Sequence, residues 1–250
     1  MEYPFDLILL IFVGFIAGAI NVIAGGGSLL SLPILIFLGL PSGIANATNR
    51  IAIIIQNIFA VSGFKSKGVS AFPYSIYLAL SASVGAIIGA YMAIDINGDV
   101  FNKILAVIMV VIVIYMVFKP KISLKQLIER TTSKYFWLGV IAFFFVGIYG
   151  GFIQAGVGFI MLLTLSSINR FSLVKSNAIK VFVALVYSLV AVAIFIYNDM
   201  INWKYGLILS IGNAAGGWFM SRWSVKKGDG FVRLFLIIMV TVMAIKLWFF

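Results

Sequence analysis

Read from its first residue, the chain is a succession of apolar runs separated by short polar or glycine-rich punctuation. The runs fall at residues 7–24, 28–39, 44–64, 71–94, 100–118, 136–154, 158–168, 174–197, 203–221 and 231–249. A helix needs roughly 20 apolar residues to cross the hydrocarbon core of a bilayer. Eight of the runs meet that length, 136–154 only just, whereas 28–39 and 158–168 fall short and read as half-helices or re-entrant segments. Each short run follows a glycine cluster, Gly25-Gly26-Gly27 in one case and Gly156-Val157-Gly158 in the other. Long run, glycine break, short run, three full spans: the order occurs twice. It reads as an internal duplication, with a first membrane repeat over 1–118, a basic cytoplasmic linker over 119–135 and a second membrane repeat over 136–250.

Small and polar residues support the duplication. Gly14-Phe15-Ile16-Ala17-Gly18 matches Gly147-Ile148-Tyr149-Gly150-Gly151 in the placement of its small positions. Asn46-Ala47-Thr48-Asn49 opens the third run, and Asn177-Ala178-Ile179-Lys180 lies near the start of its counterpart. Gly212-Asn213-Ala214-Ala215-Gly216-Gly217 echoes Ser83-Val84-Gly85-Ala86-Ile87-Ile88-Gly89. Small residues are common wherever membrane helices pack closely, so the weight lies in their common order.

Cytoplasmic loops collect Lys and Arg. Lys65 and Lys67, the linker residues Lys119, Lys121, Lys125, Arg130 and Lys134, then Arg170 with Lys175, and Arg222, Lys226 and Lys227 form the basic clusters. Glu2, Asp6, Asp95, Asp99 and Asp199 mark the other side. An outside N-terminus places every basic cluster inside, leaves Lys103, Lys204 and Lys246 as exceptions, and puts the C-terminus outside too. Five segments per repeat, an odd number, make the second copy enter from the opposite side. Inverted repeats of this kind bring broken helices together near the midplane, where substrate binds.

Composition narrows the class further. Of 250 residues, 63% are hydrophobic and only 10% charged, and the mean hydropathy is +1.17. Too little polar material remains to cover a water-soluble fold, so the expected class is an all-α polytopic membrane protein. There is no cysteine and no histidine, which removes disulfides, thiolate metal sites and the usual neutral-pH proton carrier. The formal charge of +11 is explained by orientation, so nucleic acid is not an expected partner. The acidic start Met1-Glu2-Tyr3-Pro4-Phe5-Asp6 lacks the basic region of a secretory signal, and the first segment is expected to be retained.

The first candidate site is Asn21 with Gly25, Gly26, Gly27 and Ser28. A glycine break buried in lipid leaves backbone groups without partners unless they line a polar cavity or bind a ligand. The helix N-terminus after it offers N–H groups and a positive dipole end suited to an anion. Close helix packing with Ser28 as an ordinary cap is the competing explanation, and two breaks before two undersized helices favour the site. The second candidate joins Asn46, Thr48, Asn49 and Arg50 with Asn177 and Lys180. A cation inside an apolar run is costly without water or a partner. Snorkelling would satisfy both cations; with no Asp or Glu in the apolar runs, the remaining partners are carbonyls, water or a bound anion. Among Gln56, Asn57, Gln154 and Asn213, amides that ordinarily join helices, Gln154 stands out because it precedes the second break, as Asn21 precedes the first. Gly156 and Gly158 complete that break.

Other chemistries fit poorly. The seven carboxylates lie in loops or near run ends, so no pair is placed for acid–base work, and serine lacks an activating base other than lysine. No Gly-Lys-Ser/Thr follows the glycine triplet, so it is no phosphate-binding loop. No metal and no cofactor are expected.

These motifs resemble the sulfite exporter TauE/SafE family of bacterial permeases. The leading stretch from Gly14 through Asn21 and Gly25-Gly26-Gly27-Ser28 to Pro33, with Gly39-Leu40-Pro41 and Ala45-Asn46-Ala47-Thr48-Asn49, is similar to that family's first signature. Gly147-Ile148-Tyr149-Gly150-Gly151-Phe152, Gly156-Val157-Gly158 and Ser176-Asn177-Ala178-Ile179-Lys180 resemble its second, with Val157 interrupting a glycine run that many members keep denser. The resemblance implies export of sulfite, an organosulfonate or a similar sulfur-containing anion across the bacterial inner membrane. An anion leaving a negative interior gains about 2.3 kcal/mol per charge per 100 mV, enough to drive efflux without a proton relay. The expected partners are a small anionic substrate and the lipid bilayer, and the sequence leaves the oligomeric state open. Import or channel-like passage of another anion, a membrane enzyme of sulfur metabolism, and a ligand-free assembly subunit are the competing classes.

Overall fold

In a computed structural model, which describes residues 4–70, 72–118, 129–132 and 134–224, every regular element is a helix. In chain order they are α1 (Pro4–Ala24), α2 (Ser28–Phe37), α3 (Ser42–Lys65), α4 (Tyr74–Ile94), α5 (Gly98–Phe118), α6 (Lys134–Phe152), α7 (Val157–Ser167), α8 (Leu173–Tyr197) and α9 (Trp203–Trp223). Each apolar run that lies within the described residues is a helix. The run 231–249, the C-terminus and most of the linker 119–135 lie outside them.

By length and composition five helices can cross a membrane: α1 over Leu7–Ala24, then α3, α4, α6 and α8. The chain is a polytopic helical membrane protein. α5 and α9, 21 residues each, have the length as well, although Ser210, Gly212, Asn213, Gly216 and Gly217 dilute the apolar character of α9. The short helices α2 and α7, with 10 and 11 residues, rise only about 15–17 Å at 1.5 Å per residue. That is half a crossing.

The outer surface is apolar, and polar side chains are buried within a largely hydrophobic interior. Phe12, Leu80, Trp137, Phe145 and Ile211 all lie mostly exposed on the outside, while Asn46, Asn49, Arg50, Gln56, Gln154 and Lys180 are buried. Lipid is the solvent that rewards this distribution.

Helix limits follow local chemistry. Gly39, at φ +94, ends α2, with the N–H of Leu40 donating back to the Leu35 carbonyl (3.2 Å). Ser172 and Asn202 cap α8 and α9, accepting from the N–H groups of Lys175 and Tyr205. The apolar run 136–154 is helical as far as Phe152, and Gln154 takes φ 63, a left-handed conformation that a helix cannot continue through.

Glycine faces set the packing. α1 lies along α9 and α6 along α4, each pair meeting backbone to backbone. A Cβ on Gly212 would sit 2.0 Å from the Ile11 carbonyl oxygen, and one on Gly89 equally 2.0 Å from that of Ile148. Gly14 and Gly18 press on Leu209 and Asn213, as Gly147 and Gly151 press on Ala82 and Ala86. The contacts pair off throughout: α1 with α9 and α6 with α4, α3 with α9 and α8 with α4, and α3 with α8 at the centre. Overpacking typically costs about 1–3 kcal/mol, and a backbone neighbour yields less than a side chain. Gly212→Ala and Gly89→Ala should therefore lower the melting temperature in detergent by several degrees. Gly98→Ala, whose added carbon would meet nothing nearer than 3.9 Å, should leave it unchanged.

Candidate functional site

The two glycine breaks meet. A Cβ on Gly25 would lie 2.2 Å from the carbonyl carbon of Gly158, and one on Gly158 would lie 2.3 Å from the Cα of Gly25. Only glycine permits this approach, and Gly25 additionally adopts φ +76. Gly26 faces the Phe159 ring, and Gly27 is pressed onto the Ala17 carbonyl and the Asn21 Cβ. The chain thus doubles back on α1 before α2 begins. Gly27 and Gly156 occupy the N-cap positions of α2 and α7, and neither helix has a side-chain cap. Ser28 is the buried first residue of α2.

A helix end leaves its last carbonyls without intrahelical donors. The end of α6 is served from α3: Arg50 Nη1 donates to the Gly150 carbonyl (2.7 Å) and Nη2 to those of Gly151 (2.6 Å) and Phe152 (3.4 Å). Asn46 Nδ2 donates to the same Phe152 carbonyl at 2.8 Å. The end of α1 is served from α8 in the same manner. Lys180 Nζ donates to the carbonyls of Asn21 and Val22, both at 2.8 Å, and to Asn177 Oδ1 at 2.6 Å, while Asn177 Nδ2 donates to the Ile23 carbonyl (3.3 Å).

Arg50 is 0% and Lys180 2% exposed, so neither snorkels. The ion pair of Lys175 with Glu129, at 2.6 Å, is peripheral, and both buried cations donate to carbonyl and amide oxygens. The C-terminal dipole of a helix offsets roughly half a unit charge, which leaves net positive potential around Arg50 at the second break. The Arg50 guanidinium also stacks 5.0 Å from the Phe195 ring centroid.

The remaining candidates divide. Asn49 accepts from Ser31 Oγ (2.7 Å), joining α3 to α2. Asn21 Nδ2 donates to Gln56 Oε1 (3.0 Å), so the amide of Gln56 joins helices. Thr48 faces away, its hydroxyl oxygen accepting from the backbone N–H of Asn202 before α9 (2.9 Å). Gln154 Nε2 donates to Ser188 Oγ at 3.2 Å. The sequence parallel between Gln154 and Asn21 shifts: in the capping pattern Asn21 corresponds to Gly150, and Gln154, with its positive φ, occupies the place of Gly25. The glycine faces correspond as Gly14 to Gly147 and Gly18 to Gly151, so the second break comes about one helical turn earlier than the first. Tyr149 and Tyr187, missed in the sequence, flank the second break. The Tyr149 hydroxyl donates to the Ala155 carbonyl across it, and the Tyr187 ring packs on Gly150. Tyr187-Ser188, a polar pair midway along the apolar run 174–197, was the available signal.

Two open grooves lie on the outer surface, about 560 Å³ between α4 and α6 and about 330 Å³ between α3 and α9. Neither includes a residue of the breaks, where the polar residues are packed against one another.

The sequence profile of the family described as "Sulfite exporter TauE/SafE" matches residues 10–247. The chain belongs to this family. It is 28% identical over 247 residues to a probable membrane transporter protein, ORF9, of Sinorhizobium sp, covering 98% of this chain and 94% of that protein. It is 30% identical over 248 residues to the probable membrane transporter protein YfcA of Escherichia coli (strain K12), covering 99% and 91%. A probable membrane transporter protein of Haemophilus influenzae is 28% identical over 248 residues, with 99% and 96% covered. No solved structure matches significantly. Family and relatives make the chain a membrane transporter.

Because Asn46 and Arg50 share the Phe152 carbonyl, their contributions are coupled. A double-mutant cycle of Asn46→Ala and Arg50→Ala should show a stability coupling of about 0.5–2 kcal/mol. Asn46→Ala with Gly98→Ala should be additive.

Proposed function

We propose that this TauE/SafE member is a secondary carrier that exports a small sulfur-containing anion, sulfite, an organosulfonate or a similar solute, by alternating access. One observation carries the reading: two buried cations, each donating to the last carbonyls of a broken helix, stand at two helix breaks that touch. On this view the halves 1–118 and 136–250 are inserted in opposite senses, with both termini outside the cell membrane. The first half contributes Asn21, Gly25, Gly26, Gly27 and Ser28. The second contributes Gln154, Gly156 and Gly158. Asn46, Asn49 and Asn177 line the path, Arg50 and Lys180 supply the positive field, and Thr48 belongs to the α8–α9 turn instead.

The chemistry follows from charge. A cation already paired with carbonyl dipoles is neutralised incompletely, and an oxyanion reaching it meets a stronger attraction than water provides in a low-dielectric interior. The closed packing of the breaks corresponds to an occluded form, and rocking of one half against the other would admit the anion from either side. Uncapping is local and reversible, because the same N–H donors that leave a carbonyl gain an anion oxygen. The membrane potential then gives outward bias without a proton carrier.

Flux of sulfite and methanesulfonate in proteoliposomes of fixed orientation, with an imposed potential, tests the reading. The expected result is saturable anion movement whose direction reverses with the potential, and its loss in Arg50→Ala while that variant still inserts as a folded protein. Wild-type flux in Arg50→Ala, or conversion of the anion to a new product, would overturn it.

A further inference from the structure

The two breaks differ in what their cations have left to offer. Lys180 has three N–H bonds, and Asn21, Val22 and Asn177 receive three hydrogen bonds from it. Arg50 serves the α6 carbonyls through its terminal nitrogens alone, and its buried Nε has no acceptor. Besides Asn46 Oδ1, whose amide shares the Phe152 carbonyl with Arg50, two more partnerless atoms belong to the same corner. The Tyr187 hydroxyl is one, in a residue 0% exposed; Gln154 Oε1 is the other, in a residue 2% exposed.

Gly150 ties them together spatially. Its carbonyl holds Arg50 Nη1, and a Cβ on it would lie 3.1 Å from the Tyr187 hydroxyl oxygen. The Ser188 hydroxyl and the Gln154 amide lie beside the Tyr187 hydroxyl, but neither meets it in hydrogen-bonding geometry. Packing alone does not account for it: phenylalanine would fill the same space, and an unpaired buried hydroxyl costs about 1–3 kcal/mol. Native proteins rarely keep several such atoms in one place without a ligand, water or ion to meet them.

We propose that Arg50 Nε, the Tyr187 hydroxyl and the Gln154 amide form an oxyanion subsite at the second break. The Ser188 hydroxyl makes the amide adaptable. It accepts from Nε2 now, and after rotation of the amide it donates to Oε1, turning the N–H edge toward the anion. Three donors of this kind match an anion with three terminal oxygens, a sulfite or sulfonate, better than the two oxygens of a carboxylate. This inference rests on the anion-carrier reading above and adds to it the residues that select the substrate.

Methanesulfonate and acetate test it, since they share a methyl group and charge but differ in oxygen number. Half-saturation is read from anion-dependent melting shifts and from flux, using the purified full chain. Wild-type protein should favour methanesulfonate. Tyr187→Phe should weaken methanesulfonate roughly tenfold or more, as expected for one lost hydrogen bond to a charged group, and change acetate little. Its melting temperature without anion should be unchanged or higher. An equal affinity for methanesulfonate in variant and wild type, or a variant that melts lower without anion, would overturn the subsite and leave the carrier reading standing. No response of the wild-type protein to sulfite, methanesulfonate or acetate would instead remove the carrier reading, and the subsite with it.

Discussion

Carbonyl groups at the end of a helix must find donors, and α1 and α6 both end among buried residues inside the protein. Four side chains resolve this by reaching across the molecule, Asn46 and Arg50 to α6, Asn177 and Lys180 to α1. Each pair sits on a helix that follows one break and attends to the helix that precedes the other. The breaks are therefore held by long-range partners, with little support from local propensity. The same bonds let two cations be buried, because each is held by carbonyl dipoles at a helix end.

Backbone proximity makes those long-range bonds possible. The glycine faces of α1 against α9 and of α6 against α4 bring main chains so close that opposing carbonyl oxygens occupy the space a Cβ would need. Dispersion and weak polar contacts hold membrane helices together when no hydrophobic effect separates them from lipid. Against this rigid frame the four-residue gap between α6 and α7 and the shorter one between α1 and α2 are two buried places where the chain departs from regular structure. Buried amides and hydroxyls gather there. Large apolar side chains face outward.

Much of this was legible in the sequence, because a lipid-facing helix advertises itself by length and hydropathy. The runs marked α1 to α9 to within a few residues, and the glycine clusters marked both breaks. Arg50 and Lys180 stood out as cations without acids, and carbonyls were among their foreseeable partners. Which carbonyls could not be read, since capping across the molecule depends on how the helices cross. The displaced second break was hidden for a related reason: Gln154 takes a left-handed conformation that sequence would assign to a glycine. Tyr187 escaped notice because an aromatic residue in an apolar helix looks like core until its hydroxyl is found without a partner. Thr48 was grouped with its neighbours by proximity in the chain, although helical geometry turns it toward the α8–α9 turn.

The offset of about one turn between the breaks makes the molecule a pair of unequal hands. Were the halves interchangeable, exchanging their shapes would return an equivalent molecule facing the other way, at the same free energy. Unequal halves remove that degeneracy. On the carrier reading proposed above, one facing would then be preferred at rest even with no voltage and no gradient, a built-in polarity written in the length of α6.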